Sequence, residues 1–197
     1  QRYSSSVKTI KRIVLFATGS GSNVENIAQY FEGDTRVEIG GVLCNNPGAG
    51  VVDRCKRLRL PLYCFNRPAY MEGKGILALL KGLEPDLIVL AGFLWKIPES
   101  TVAAFPDKII NIHPALLPRF GGKGMYGMHV HRAVIEAGEK ESGITIHRVN
   151  EAYDEGSILL QEKTPIEPGD TPEALAKKIH ALEYAHYPPA IASLLFE

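Results

Sequence analysis

An asparagine and a histidine interrupt the apolar segment "DKIINIHPALLPRFGG", which runs from Asp107 to Gly122. Asn111 and His113 are two residues apart in a stretch typical of a buried strand, so their side chains point to one face of a sheet. Pro114 ends the strand, and ligands of open α/β sheets bind beyond the carboxyl ends of strands. Each residue alone is more often structural. Together at a strand end they favour catalysis, since an amide and a charged imidazole can both stabilise a developing oxyanion.

A glycine-rich turn, "ATGSGSNVENI", joins the first predicted strand to the first predicted helix, and residues 19–23 are called the glycine turn below. Gly19 and Gly21 permit tight backbone geometry, and Ser22 and Asn23 bring polar side chains to the helix start. Unpaired N–H groups and the helix dipole favour an anion there. Val24 stands where a dinucleotide fingerprint has its third glycine, and the P-loop lysine is missing. The turn suits a single phosphate group, although an ordinary strand-to-helix turn remains the alternative.

The remaining histidines do not predict a metal site. His129 and His131 have H-x-H spacing and His147 lies on a predicted strand, but no cysteine or carboxylate completes a convincing ligand set. We interpret His129 and His131 as loop and helix-start residues, and His147 as a neighbour of the site that shares strand parity with Thr145. The three cysteines are odd in number without C-x-x-C spacing, which indicates reduced, structural thiols.

Alternating strand and helix patterns predict the scaffold that positions these residues. They indicate an α/β fold with a mainly parallel, Rossmann-like open sheet and flanking helices. From Gly143 onward, "GITIHRV" and "SILLQEKTPI" flank the loop "NEAYDEG" and predict an antiparallel pair at the sheet edge. A long terminal helix follows, in which Asp170 or Thr171 can cap, Pro172 lies in the first turn and Glu173 completes a capping-box-like start.

The composition restricts the class of protein. The chain has 197 residues, with 22 basic and 22 acidic side chains, so no net field favours nucleic acid or an anionic membrane. The longest apolar run, "LIVLAGFLW", is too short to span a membrane, and the first residues lack a signal-peptide core. We predict a cytoplasmic protein with one domain over residues 11–197. Residues 1–10 are expected to be a disordered terminus or a cloning remnant.

From Lys11 to Glu197 the chain resembles the folate-dependent formyltransferases. The resemblance lies in "GSGSN", "VLAGF", "NIHPALLP", "HVHRAV" and "YDEGSILLQ". It implies 10-formyltetrahydrofolate as co-substrate, no metal, and transfer of the formyl group to the amine of 5'-phosphoribosylglycinamide in purine (IMP) biosynthesis. The implied partners are therefore small molecules, without nucleic acid or membrane, and a homodimer is compatible with the sequence.

The resemblance also implies roles for individual residues. Those implied to be catalytic are Asn111, His113 and Asp154. Those implied to bind the ribonucleotide and its phosphate are Gly21, Ser22, Asn23 and Glu183. Those implied to bind the folate are Arg67, Leu94, Trp95, Lys96, Ile97, Asn111, Asn150, Glu151, Ala152, Tyr153 and Asp154.

The sequence departs from the family pattern near the folate residues. Trp95 and Lys96 stand where an arginine and an apolar residue are expected, and the loop Gly121 to Met128 is longer than usual. Three alternatives remain open. A tRNA-directed formyltransferase and a formyltetrahydrofolate hydrolase usually carry a further domain, for which we expect no room here, and a non-catalytic nucleotide-binding module would use the glycine turn alone.

Overall fold

A computed structural model describes residues 9–71, 75–151 and 155–197. The described strands form one seven-stranded sheet. They are β1 (Lys11–Ala17), β2 (Val37–Cys44), β3 (Leu62–Cys64), β4 (Leu87–Leu90), β5 (Ile109–His113), β6 (Glu141–Arg148) and β7 (Ile158–Pro165). Their order across the sheet is β3-β2-β1-β4-β5-β6-β7. The pairs from β3 to β5 are parallel, and the two pairs that involve β6 are antiparallel, which confirms the predicted fold class.

The central strand β1 is apolar because both of its faces are covered. Ile13 and Leu15 point into one buried cluster, whereas Val14 and Phe16 point into the cluster on the opposite face. Alternation of side chains along a strand produces this division. A strand that is apolar on both faces is typical of the middle of a parallel sheet.

Helices cover both faces of the sheet. They are α1 (Ser22–Tyr30), α2 (Gly50–Leu58), α3 (Arg67–Met71), α4 (Ile76–Leu83), α5 (Glu99–Ala104), α6 (Met128–Glu136) and α7 (Pro172–Leu195). The sequence patterns did not indicate α3. The long helix α7 packs against α1 and α6, and the Tyr187 hydroxyl donates to the Leu90 carbonyl at 2.8 Å. This hydrogen bond fixes α7 at the carboxyl end of β4.

The start of α7 differs in one respect from its prediction. Thr171 is the cap, and its hydroxyl accepts from the Ala174 N–H at 3.1 Å. Asp170 instead accepts from Lys178 at 2.7 Å, and Pro172 is the first helical residue. Glu173 therefore lies second in the helix, and the predicted capping-box geometry is wrong, because that geometry needs the carboxylate in third position.

The antiparallel edge returns the chain to the end of β5. Asn111 lies opposite His147, and His113 lies opposite Thr145. After the β6–β7 loop, a Cβ at Gly156 would lie only 1.6 Å from the Arg148 carbonyl oxygen, so this position requires glycine. In the described part of the chain, no helix is both long and apolar enough to cross a membrane.

The prediction for residues 1–10 falls largely on residues 1–8, which lie outside the described ranges. The division of the chain into a single domain stays a prediction.

Candidate active site

A cavity of about 950 Å³ opens at the carboxyl ends of β1, β4 and β5. The sheet order changes direction at β1, since β2 and β4 are its two neighbours. Such a switch point leaves a crevice between the loops that leave adjacent strands. The Thr18 N–H donates to the Gly92 carbonyl at 3.0 Å, and the Thr18 hydroxyl accepts from the Leu94 N–H at 3.1 Å. The two loops that form the crevice are therefore joined directly.

Asn111 is oriented by a histidine on the neighbouring strand. Its Nδ2 lies 3.4 Å from Nε2 of His147, and Nδ1 of His147 lies 3.0 Å from the Arg148 carbonyl oxygen. A carbonyl only accepts, so Nδ1 carries the hydrogen and Nε2 accepts from the amide; the hydrogen-bond network assigns this tautomer. The amide group has two N–H donors, and one of them is used here. His147 is thus a neighbour that holds Asn111, as the sequence predicted.

His113 is almost fully buried, with 3% exposure, and lies at the cavity wall. Its Nε2–H donates to the Phe120 carbonyl at 2.7 Å. The loop that supplies this carbonyl is itself supported by Thr145, whose hydroxyl donates to the Ala115 carbonyl at 2.7 Å and accepts from the Leu117 N–H at 3.0 Å. The imidazole at the end of β5 is therefore held in place by a hydrogen-bonded loop.

The glycine turn forms another part of the cavity wall. Gly21 has φ 77°, and a Cβ there would lie 2.5 Å from Cγ2 of Val51. Only glycine satisfies both the left-handed backbone and this close approach. Asn23 is 8% exposed, and its buried Oδ1 has no hydrogen-bond partner among the described residues. A buried polar group without a partner is costly unless a ligand or water satisfies it.

Glu183 lies on the same side of the cavity and is 6% exposed. Nδ1–H of His180 donates to its carboxylate at 2.8 Å, and this hydrogen bond raises the pKa of His180 against the opposing effect of burial. His131, in the first turn of α6, also lines the cavity; burial lowers its pKa, and its Nδ1 has no partner within the described ranges. Two imidazoles of opposite pKa shift thus lie near one buried carboxylate.

The other end of the cavity is aromatic. Trp95 packs against Phe65, Tyr70 and Phe93, with ring centroids between 5.3 and 6.4 Å apart. The Arg67 guanidinium lies 4.3 Å from the centre of the Trp95 ring, a cation–π distance. Arg67 and Trp95 therefore form a stacked wall beside the apolar residues at the end of β4.

The structure brings most of the predicted site residues together. The residues from that set which line the cavity are Gly21, Ser22, Asn23, Arg67, Leu94, Trp95, Lys96, Ile97, Asn111, His113, Asn150 and Glu183. Glu151 is exposed and is not among the lining residues. Ala152, Tyr153 and Asp154 lie outside the described residues. Within the described ranges, no three histidine, cysteine or acidic side chains are grouped so as to hold a metal ion.

Sequence reasoning did not place His131 or His180 at the site. His131 was expected only as a helix-start residue, yet Val130, His131 and Val134 form the buried face of α6. His180 lies three residues before Glu183, so the two share a helix face. These spacings would have indicated both histidines if the inward face of each helix had been traced.

The chain matches known proteins along almost its whole length. Residues 11–191 match the family described as formyl transferase. The phosphoribosylglycinamide formyltransferase of Bacillus subtilis is 36% identical over 192 residues, covering 94% of this chain and 95% of that protein. The chloroplastic phosphoribosylglycinamide formyltransferase of Arabidopsis thaliana is 37% identical over 193 residues, and the chain spans 66% of its length. The cowpea (Vigna unguiculata) relative of the same name is also longer, and the chain spans 62% of it.

Solved structures agree with these sequence matches. The crystal structure of phosphoribosylglycinamide formyltransferase from Bacillus halodurans superposes with a TM-score of 0.85 at 36% identity, covering 95% of this chain and 96% of that one. The glycinamide ribonucleotide transformylase 1 of Geobacillus kaustophilus gives a TM-score of 0.86 at 37% identity, covering 94% and 99%. The sequence match, the shared fold and the polar residues at the carboxyl end of β5 agree, and the chain belongs to the formyl transferase family.

Proposed function

We propose that the protein transfers the formyl group of 10-formyltetrahydrofolate to the amine of 5'-phosphoribosylglycinamide, a step of purine biosynthesis. One observation carries the proposal. Asn111 and His113 line the same cavity as the glycine turn and the Arg67–Trp95 wall. A phosphate-bearing acceptor and an aromatic donor can therefore meet at two groups suited to stabilising an oxyanion.

The glycine turn is the proposed site of the ribonucleotide phosphate. Backbone N–H groups at the start of α1 favour an anion, and the tight packing of Gly21 on Val51 leaves the turn little freedom to rearrange. Asn23 presents a buried Oδ1 without a partner among the described residues, and this acceptor suits an N–H or O–H donor of the ribonucleotide. Glu183 is the proposed acceptor for ribose hydroxyl groups, because a carboxylate accepts several hydrogen bonds.

The wall around Trp95 is the proposed site of the folate. The residues present fit such a ligand, since a pterin is flat and aromatic, and Trp95 and Ile97 offer apolar surface beside it. Arg67 and Lys96 add positive charge for the carboxylates of the glutamate tail. The departures from the family pattern at positions 95 and 96 thus still provide one apolar and one cationic side chain on this wall, in reversed order.

The reaction forms a bond between the amine nitrogen and the formyl carbon, and it breaks the bond between that carbon and N10 of the folate. The amine loses one proton and N10 gains one, so the step needs no further reactant. Negative charge develops on the formyl oxygen as the new bond forms. Asn111 has a second amide N–H to donate there, and a protonated His113 adds a charge-assisted hydrogen bond.

Asp154 completes the proposed catalytic set through the family motif. A carboxylate near His113 favours the charged imidazole and can relay the amine proton through water. Asn150, which lines the cavity, begins the loop that carries this aspartate. The loop therefore starts beside the substrates.

Three finer points are part of the proposal. The protein is expected to be cytoplasmic, although the Arabidopsis and cowpea relatives are named chloroplastic. Its partners are expected to be the two small-molecule substrates, without nucleic acid, membrane or metal. A homodimer is compatible with this function.

The test is a steady-state assay with purified protein, 10-formyltetrahydrofolate and 5'-phosphoribosylglycinamide, followed by the absorbance change on deformylation of the folate. We expect turnover that needs both substrates. Turnover with water alone, or only with a tRNA acceptor, would contradict the proposal and support one of the related activities. Binding of the ribonucleotide without any turnover would support the binding module.

A further inference from the structure

The carbonyl groups of the glycine turn are held from the side opposite the cavity. The Gly19 carbonyl accepts from the Val51 N–H at 3.1 Å, and the Ser20 carbonyl accepts from Nε of Arg54 at 2.6 Å. Both donors belong to α2, none of whose residues, all of them described, lines the cavity. Helix α2 therefore supports the turn from behind.

The geometry of the peptide bond determines where the N–H groups of the turn point. In a trans peptide the C=O and N–H groups point in opposite directions. Holding the carbonyls of Gly19 and Ser20 toward α2 directs the N–H groups of Ser20 and Gly21 away from it. These residues line the cavity, so the N–H groups are directed toward the space proposed for the phosphate.

The guanidinium of Arg54 is itself fixed by an ion pair. Its Nη1 contacts the Glu25 carboxylate, and Nη2 of Arg57 lies 2.7 Å from the other oxygen of that carboxylate. Arg57 and Arg54 hold the pKa of Glu25 below its usual value, so the carboxylate stays charged. The Glu25 N–H donates to the Gly21 carbonyl at 2.9 Å. Arg54 is therefore linked to the Ser20 carbonyl directly and to the Gly21 carbonyl through Glu25, whereas no hydrogen bond or ion pair joins Arg57 to the turn within the described ranges.

We propose that Arg54 is a positioning residue for the phosphate. It touches no substrate, and it acts by holding the Ser20 carbonyl so that the Gly21 N–H donates to a phosphate oxygen. This inference rests on the proposed function and extends it to a residue outside the cavity. A residue that merely stabilised the fold would affect every substrate, whereas a positioning residue of this kind affects only ligands that carry the phosphate.

Two substitutions at one position separate the hydrogen bond from the charge. In Arg54→Gln, the Nε2 amide stands at the same place along the side chain as Nε of arginine, so it can still donate to Ser20. Arg54→Met keeps a similar apolar stem and has no donor. Arg57→Met is the matched control, because it also removes one positive charge and one Glu25 partner but leaves the Ser20 contact intact.

The measurement is kcat and KM for 5'-phosphoribosylglycinamide and for its phosphate-free nucleoside analogue. Arg54→Met should raise KM for the phosphorylated substrate about tenfold, the factor that corresponds to ~1.4 kcal/mol. Its kcat, its KM for 10-formyltetrahydrofolate and its kcat/KM for the nucleoside should change by less than about twofold, since these do not depend on the phosphate. Arg54→Gln and Arg57→Met should remain close to the unsubstituted protein.

Several outcomes would overturn the inference. They are an equal loss in Arg54→Met and Arg57→Met, an equal loss for the phosphorylated and phosphate-free substrates, and a loss in Arg54→Gln as large as in Arg54→Met. The proposed function is tested separately by titrating the unsubstituted protein and the soluble variants with inorganic phosphate, followed by the amide NMR signals of Ser20 and Gly21. If formyl transfer is absent but phosphate moves these signals, and Arg54→Met alone weakens this binding, the positioning role stands and the proposed function fails. If phosphate does not move them, the positioning role fails.

Discussion

The two ends of the cavity are formed by different kinds of groups. At the end proposed for the nucleotide, the surface includes the backbone of the glycine turn and three side chains that are at least nine-tenths buried, namely Asn23, His131 and Glu183, beside the more exposed His180. At the folate end, Arg67, Leu94 and Lys96 are exposed, and Trp95 is half-buried. Most of the side chains at the first end are held by packing around them, whereas the second end combines buried residues such as Ile97 with three exposed side chains.

This difference explains where the sequence can vary. A backbone N–H is the same in every residue, so the nucleotide end depends on conformation, and Gly21 allows no Cβ. The folate end depends on the type of side chain, and one stacking or charged residue can replace another. The departures from the family pattern at Trp95 and Lys96 fall at this second end. Asn111 and His113, the proposed catalytic residues, line the same cavity and should respond differently from both ends.

The largest effect is expected from Asp154→Asn. If this carboxylate supports a charged His113, kcat should fall by roughly 10²–10⁴, the range for lost general acid–base help. KM for both substrates should change little, because the lost interaction is stronger in the transition state. The measurement is kcat against pH, with the His113 titration followed by NMR. Asp107→Asn is the control, since it makes the same substitution at an exposed position with φ 60°, which asparagine tolerates.

A near-normal kcat in Asp154→Asn, with an unmoved His113 titration, would remove Asp154 from the catalytic set. A selective rise of one KM would assign it to one end of the cavity and not to the chemistry between them.

The second effect concerns the nucleotide end alone. Gly21→Ala places a Cβ against Val51 in a left-handed backbone, which costs roughly 1–3 kcal/mol of unfolding free energy and distorts the turn. KM for the ribonucleotide should rise by at least about tenfold, while KM for the folate stays constant. Gly33→Ala is the control, because Gly33 has φ 78° with no atom within 4 Å.

Thermal unfolding and steady-state kinetics of both variants provide the check. Gly33→Ala should lose stability without a change in KM. If the two variants behave alike, the turn is only a structural element, and the contrast between the two ends of the cavity is lost.

These contrasts show which parts of the site the sequence could predict. The strand position of Asn111 and His113 follows from period-two alternation, and the glycine turn follows from the residues it contains. Both are local in sequence, and the structure places both at one cavity. The Arg54–Ser20 contact joins residues 34 positions apart, so no spacing rule indicates it.

Helix faces were predicted less completely than strands. Glu183 lies one turn after Ile179, a spacing that indicates the inward face of the helix, and both residues are buried. His180 lies on the same face as Glu183, but its place at the site could not be predicted without knowing that it contacts this carboxylate. Thr171 rather than Asp170 became the cap because Asp170 pairs with Lys178, a tertiary preference that overrides the local capping pattern.

A smaller effect is expected from the pH dependence of His180. The hydrogen bond to Glu183 raises the pKa of this imidazole in the folded protein. The charged pair therefore contributes stability that is fully present below the unfolded pKa of about 6.5, and this contribution is lost as pH rises through the folded pKa. Burial lowers the pKa of His131, so its neutral form contributes stability that is lost as pH falls.

The check is the His180 titration by NMR and the midpoint of thermal unfolding from pH 5.5 to 8.5, in the unsubstituted protein and in His180→Asn. Asparagine keeps a donor near the position of Nδ1 without the charge, so its stability should depend less on pH. KM for the ribonucleotide should rise a few-fold above the folded pKa, since Glu183 then has a weaker partner, and KM for the folate should not change. A His180 titration at or below about 6.5 would contradict the assignment.

The smallest effect is expected at the folate end, from Trp95. Trp95→Phe keeps an aromatic face for Arg67 and for the pterin, whereas Trp95→Ala removes both contacts. Stacking of the pterin on a partly exposed aromatic ring is worth about 0.5–1 kcal/mol, so Trp95→Ala should raise KM for the folate by roughly two- to fivefold, with a smaller rise in Trp95→Phe. KM for the ribonucleotide should stay constant in both variants.

Trp95 is the only tryptophan of the chain, so its emission reports folate binding directly. Unchanged emission on saturation with folate would remove Trp95 from the pocket. The rise in KM for the folate in Trp95→Ala could also equal the rise in KM for the ribonucleotide in Gly21→Ala. The folate end would then tolerate substitution no better than the nucleotide end, and both ends would depend on one fixed geometry.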